Sequence, residues 1–224
     1  GLIGGAGLVF AFAGAIFAIQ ATSVANAVFL FAAAPLMTAV LALILLKEPV
    51  RPETWGAIVL AGAGVFVMVR EGLAMGAGAG NLAALLSAAG FSAFTVTLRW
   101  GRLGDMLPAV VIGGALSIVV AAGVIALRGE SFALPARSIG IAFVMGAGLL
   151  GLGMALYTTG SRVVPAAEIG LLSMAEVMLA PFWVWLFLNE TASAGTLLGG
   201  AILMVAIALN AVTGMRYRPP PVTS

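Results

Sequence analysis

The sequence predicts an all-α integral membrane protein with eight transmembrane helices, and three observations carry the prediction. Apolar residues make up 62% of the 224 positions and charged residues only 8%, with a mean hydropathy of +1.20. A soluble domain carries about 25% charged residues, so this chain has too few to cover a water-facing surface. The apolar residues fall in runs of bilayer length, about 20 residues each, and the runs lack the charged face of a soluble bundle helix. Two of the runs also resemble each other: Ala25 to Glu48, ending LILLKE, and Ala167 to Glu190, ending WLFLNE.

In order, the expected spans are Leu2–Gln20, Ala25–Leu46, Thr54–Val69, Gly80–Trp100, Met106–Leu127, Ser138–Gly160, Ala166–Leu188 and Ala194–Gly214. The breaks between them are physical. Lys47-Glu48-Pro49 with Pro52 ends one helix and restarts another, because proline lacks the N–H a helix interior needs. Arg99 to Asp105 is a polar, glycine-containing turn, and Arg128 to Arg137 holds two arginines, a glutamate, Gly129 and Pro135. Pro165 and the cluster Asn189–Ser193 mark the last two turns.

Charge and repeat give the arrangement. With the C-terminus on the cytoplasmic side, alternating loops place Lys47, Arg51, Arg99, Arg102, Arg162, Arg216 and Arg218 inside and Arg70, Arg128 and Arg137 outside. That is the bias of the positive-inside rule. Five apolar segments separate Glu48 from Glu190, so an odd number of crossings puts the two glutamates on opposite sides. Inverted repeats of this kind are the ground plan of many secondary transporters. Lys47 and Arg51 of the inner loop become Asn189 and Ser193 in the second copy, where the loop faces outward. In the second unit two spans, Gly80–Trp100 and Met106–Leu127, precede the helix that matches Leu2–Gln20, and in the first unit none precede Leu2–Gln20. The expectation is therefore a ten-helix, two-inverted-repeat fold whose first two helices are missing from this sequence. On that reading, residues 1–70 are the last three helices of the first repeat, 80–214 are a complete second repeat, and 215–224 are a cytoplasmic tail.

The run PLMTAVLALILLKE, Pro35 to Glu48, followed by WGAIVLAGAGV from Trp55, resembles the first repeat of an EamA domain of the drug/metabolite transporter superfamily. Ala175-Glu176, then Pro181 through Glu190 and Gly199-Gly200-Ala201-Ile202-Leu203, resembles the second. The resemblance covers nearly the whole chain. It implies ten helices in two inverted repeats, cytoplasmic termini and alternating access, in a cell membrane of the bacterial inner-membrane kind. One departure stands out. Val177 follows Glu176 where the family's second repeat often has proline, and Pro181 lies four residues on.

Polar residues at membrane depth are the functional candidates, since each is costly in lipid. Glu176 is the sharpest, ten residues into its span. An ionised carboxylate there must be protonated, paired or hydrated. It is either a cation-binding or proton-coupling group in a central cavity or a buried acid shaping the bundle. Glu168 lies two turns earlier on a similar face. Trp183 lies two turns after Glu176 and either walls a cavity or faces lipid. Tyr157 and Thr95 offer hydroxyls, which in membranes more often bond a helix than a ligand. Gln20 and Asn26 flank the first outer turn as gate or cap residues, with capping expected for Asn26. Glu48 and Glu190 end their helices, where the dipole disfavours a carboxylate; each is expected to have a structural partner, such as the start of the next helix. Pro35 and Pro181 break backbone bonds inside spans and are expected to kink them.

Several classes are excluded. There is no cysteine and no histidine, so disulfides, thiolate chemistry, imidazole relays and His/Cys metal sites are ruled out, and no cofactor or metal is expected. Ten Lys/Arg against eight Asp/Glu reflects loop charge and not nucleic-acid binding. An intramembrane enzyme needs clustered nucleophiles or acids, which two carboxylates on one helix do not supply. Gly146, Gly148, Gly151 and Gly153 are expected to allow close helix approach, as are Gly62 and Gly64, and no nucleotide fingerprint is read from them. Apart from Arg99, next to the end of its span, no Lys or Arg falls inside an expected span, so fixed positive charge for phosphorylated solutes is absent from the span interiors. The expected partners are the lipid bilayer, a small neutral, zwitterionic or cationic organic solute, protons as a coupling ion carried by Glu176 or Glu168, and a second copy in a homodimer. Export is the expected direction. The other reading is a non-transporting membrane scaffold or assembly subunit.

Overall fold

The computed structural model describes residues 1–101, 106–129, 131, 133, 135–160, 179, 182–187, 189 and 191–216. Among them every regular element is helical, and seven stretches are long and apolar enough to cross a membrane. The protein is an all-α integral membrane protein. The helices are α1 Leu2–Ala21, α2 Val24–Phe31, α3 Ala34–Leu46, α4 Pro52–Ala74, α5 Gly78–Trp100, α6 Leu107–Arg128 and α7 Ala136–Phe143. A π-helical stretch, Val144–Gly151, joins α7 to α8, Leu152–Gly160, and the last helix, α9, is Ala194–Arg216. The expected span Ala166–Leu188 lies mostly outside the described residues; 182–187 are helical.

Two elements differ from the sequence reading. The second span is not one helix but two, broken at Ala32–Ala33, with Pro35 in the first turn of α3. The third runs beyond Val69 to Ala74, so it carries Arg70 and Glu71 within the helix. Hydropathy marks the edge of the apolar slab, whereas the backbone turns only where a residue can adopt a left-handed conformation. Here that residue is Gly76, at φ +76°. The N–H of Ala77 then reaches back to Gly72 O at 2.7 Å, closing the helix with a Schellman-type bond.

Lys47, at φ 55°, stops α3 in the same manner, and Glu48 N donates to Ala42 O at 3.3 Å. Asn189, at φ 52°, is the other non-glycine residue of positive φ among the described residues. The two lie 142 positions apart, the spacing of Glu48 and Glu190 in the paired segments. Left-handed backbone in residues with a Cβ is uncommon and sterically disfavoured. Its appearance at matched positions is therefore a structural echo of the sequence likeness.

Small residues set the packing. α1 and α5 run antiparallel and touch at Gly7 and Gly90. A Cβ on Gly7 would lie 2.8 Å from Gly90 O, and one on Gly90 would lie 2.7 Å from Gly7 O. α4 and α9 run antiparallel and cross at Gly64 and Gly199, where a Cβ on either would lie 2.5 Å from the other's carbonyl oxygen. Contacts this close drive association where lipid removes the hydrophobic effect between helices. Gly64 thus meets the expectation of close approach, but Gly62 does not. Gly146, Gly148 and Gly153 have open space around them, and Gly151 meets only its own helix at Gly146 O. Their segment widens into π-helix and lies on the outside of the described bundle.

α5 is the hub, packed against α1, α2 and α3, with 61% of its membrane window buried against 0% for Ala136–Gly160. The antiparallel order collects the turns at residues 21–23, 75–77 and 191–193 at one end of the bundle. It gathers 47–51, Arg99 and Asn210–Gly214 at the other. We refer to these as the Asn26 end and the Glu48 end.

Candidate functional site

The break in the second span places polar backbone where the chain is otherwise apolar. Pro35 cannot donate a backbone hydrogen bond, and Ala32 N and Ala33 N are satisfied by short-range bonds to Phe29 O and Leu30 O at 3.1 Å each. Ala34 O is met from two directions. Thr38 Oγ1 donates to it at 2.8 Å along the same helix, and Ser92 Oγ reaches it at 2.8 Å from α5. Ser92 is fully buried and also lies 2.7 Å from Ala88 O, so its single proton is shared between the two helices. Pro35 lies in the first turn of α3, directly after this break. Ala34 is also the residue that aligns with Glu176 in the second copy, 142 positions on.

One turn further along α5, Thr95 Oγ1 lies 3.4 Å from the Tyr157 hydroxyl of α8, with Phe91 tilted against the Tyr157 ring at 5.4 Å. The structure thus brings Thr95 and Tyr157 together. Trp183 is exposed and stacks on Phe187 at 5.7 Å, edge-on to Phe182. Gln20 is exposed at the end of α1. Glu176, Glu168, Pro181 and Glu190 lie outside the described residues.

The Asn26 end is closed by a buried polar chain. Ser23, not Asn26, caps α2, accepting from Asn26 N at 3.2 Å. Asn26 lies inside the helix, and its side chain crosses the bundle, because a serine one turn earlier already fills the cap position. Asn26 Nδ2 donates to Asn81 Oδ1 of α5 at 2.6 Å and to Thr22 Oγ1 at 3.2 Å. Asn26 Oδ1 faces Thr196 Oγ1 of α9 at 3.3 Å. Thr196 Oγ1 is 2.9 Å from Ser193 Oγ, which is 2.6 Å from Glu71 Oε2 of α4. Ser193 also accepts from Thr196 N at 3.1 Å, the bond of a helix cap. Glycines make room for these groups: Gly72 lies against the Asn81 amide, Gly195 against the Glu71 carboxylate and Gly80 against the backbone of Ala21.

The Glu48 end is built from charge. Arg99 Nη2 pairs with Glu48 Oε2 at 2.6 Å, both side chains being about half exposed, at 51% and 42%. The partner of Glu48 is thus an arginine on α5 and not the start of α4. Thr54 Oγ1 donates to Asn210 Oδ1 at 2.7 Å, and Arg51 reaches Thr54 Oγ1 at 3.3 Å and Asn210 at 3.5 Å. A cavity of about 140 Å³ lies between Ala39, Ala42, Glu48, Arg51, Thr54 and Arg99. Among the described residues no group of three or more carboxylates, histidines or cysteines is placed to hold a metal.

Sequence reasoning missed Asn81, Glu71, Ser193, Thr196 and Asn210. The signal was available for the two asparagines, which stand inside expected spans. It was weaker for Ser193 and Glu71, which sit in or beside turns and read as solvated.

Residues 1–70 match the EamA-like transporter family, the family whose first repeat this stretch resembles. A search of curated proteins gives no match. A crystal structure of a protein is similar to this chain with a TM-score of 0.60 and 21% identity, over 96% of this chain and 77% of its own length. At that identity the likeness is one of fold.

Proposed function

We propose that the chain is a secondary transporter of the drug/metabolite transporter superfamily that exports small neutral, zwitterionic or cationic organic solutes by alternating access. The broken second span carries this reading. Transporters bind solutes where a spanning helix is interrupted near mid-membrane and frees backbone groups, and Ala34 O at this break is reached by Ser92 from the hub helix. The EamA-like match over 1–70 supports the same class.

On this reading 1–70 and 80–214 are parts of two inverted repeats, the Glu48 end is cytoplasmic with the C-terminus, and Glu176 faces the solute opposite Ala34. Thr95, Tyr157 and Trp183 belong to the pathway, with Glu168 nearer its cytoplasmic end and Gln20 at its outer mouth. The side chains of the described helices bring no Lys or Arg to the break at Ala32–Pro35, which favours solutes without a phosphate. The structural roles of Glu190 and Pro181, coupling to protons and pairing of two copies belong to the same proposal.

The test is flux. Full-length protein in proteoliposomes, screened against a panel of small metabolites, should move at least one across the membrane, and Glu176→Gln should lower that flux about a hundredfold if the carboxylate acts in coupling. No flux for any solute, from protein that retains its helical circular dichroism, favours the scaffold reading.

A further inference from the structure

α3 stops at Leu46 and α4 restarts at Pro52, and the residues between them flank the cavity of about 140 Å³ at the Glu48 end. Its wall has two kinds of surface. Ala39, Ala42 and Val50 are apolar, whereas Glu48, Arg51 and Arg99 are charged. The charged wall thus carries two positive groups against one negative. Arg99 Nη2 is held by Glu48 Oε2 at 2.6 Å. Arg51 Nη2 is held by Thr54 Oγ1 at 3.3 Å and by Asn210 Oδ1 at 3.5 Å. A guanidinium has five N–H donors, of which even a bidentate carboxylate takes only two. Such a fork of donors matches the oxygens of a phosphate, and the cavity has room for several waters or one phosphate group. We propose that the cavity is a phosphate-oxyanion site and that the headgroup of a membrane phospholipid fills it.

The place of the cavity favours a lipid over a free anion. The apolar run of α3 ends at Leu46 and Lys47 follows, so the cavity lies where hydrocarbon gives way to headgroups. Ile44 and Leu45, just before it, are 64% and 57% exposed and offer apolar surface to acyl chains. Trp55 and Trp100 adjoin Thr54 and Arg99 in sequence and are exposed, as aromatic side chains at a membrane interface are. Basic pockets between spanning helices at this depth take lipid headgroups. The first turn of α4 adds to the attraction. Its N-cap, Arg51, makes no side-chain cap bond, so the positive end of the helix dipole beside Thr54 is left for an anion.

Two further charged groups stand close by, Lys47 and Glu53. Both are exposed, and neither lines the cavity. Arg102 and Asp105 lie outside the described residues. Within the wall, Glu48 opposes an entering oxyanion by its like charge while it holds Arg99 in place. A glutamine at position 48 keeps a hydrogen bond to Arg99 and removes the opposing charge. Oxyanion binding then tightens, whereas a pocket whose arginines serve only to hold the helices would loosen.

The inference is independent of transport and is tested without flux. The full chain in a neutral detergent is titrated with short-chain phosphatidylglycerol, with the diacylglycerol of the same chains, and with inorganic phosphate. Each is read by the rise in unfolding midpoint that a ligand of the folded state produces. Phosphatidylglycerol should raise the midpoint and stay bound in the native mass spectrum, and diacylglycerol should do neither. Arg51→Gln and Arg99→Gln should each lower the affinity for phosphatidylglycerol about tenfold. Arg51→Lys, which keeps the charge without the fork, should give a smaller loss. Glu48→Gln should raise the affinity about threefold. Arg128→Gln, outside the cavity wall, should leave it unchanged. Arg51→Lys and Glu48→Gln keep the test intact even where an arginine-to-glutamine variant does not fold. Inorganic phosphate lacks acyl chains and should need about a hundredfold higher concentration. If it matches the lipid, the oxyanion site stands and free phosphate is its source. Diacylglycerol that matches phosphatidylglycerol, arginine variants that bind it as the parent does, or a Glu48→Gln variant that binds it more weakly overturns the inference.

Discussion

The two ends of the helix bundle are closed by different chemistry. At the Asn26 end, small uncharged side chains and one carboxylate link four helices behind close-packed glycines, and Asn26, Asn81 and Thr196 are all buried. At the Glu48 end, an ion pair between half-exposed groups stands beside a cavity of about 140 Å³. Buried polar groups are costly to leave unpaired, whereas exposed ion pairs contribute little and are screened by salt. The first end is a seal, and the second is a loose clasp over an opening.

This comparison can be broken from either end. Asn26→Leu should have the largest effect. It removes the donor to Asn81 and the acceptor of Thr196 together, and should cost about 2 kcal/mol of stability, read as a lowered unfolding midpoint in detergent. If the loss is negligible, the Asn26 end is not a seal. Glu48→Gln should have the smallest effect, about 0.5 kcal/mol, and the exchange Glu48→Arg with Arg99→Glu should recover it. A loss from Glu48→Gln as large as that of Asn26→Leu would show that the clasp is the stronger end.

Much of the fold was legible because lipid is a simple solvent. It demands apolar runs of fixed length, and seven of the eight expected spans correspond to described helices. What hydropathy could not read was where helices end or break. Gly76 and Lys47 stop their helices by left-handed backbone, and the break at Ala32–Ala33 is set by Pro35 and by Ser92 on another helix. Thr95 and Tyr157, singled out for their hydroxyls, do meet. Asn26 was singled out as a cap and turned out to be a bridge, since the sequence holds no sign that Asn81 and Thr196 converge on it from 55 and 170 residues away. The glycine run at 146–153 shows the converse. Small residues permit close approach, but the contact exists only where a second helix arrives, as Gly199 does at Gly64.

The central claim, that one end is sealed and the other open to a cavity, is tested most directly by the relative reactivity of two single cysteines toward a small water-soluble thiol reagent. One replaces Ala39, which lines the cavity at the Glu48 end, and the other replaces Ala25, beside Asn26. Ala39→Cys should react about tenfold faster than Ala25→Cys or more. Equal rates, or a faster reaction at Ala25→Cys, would contradict the account.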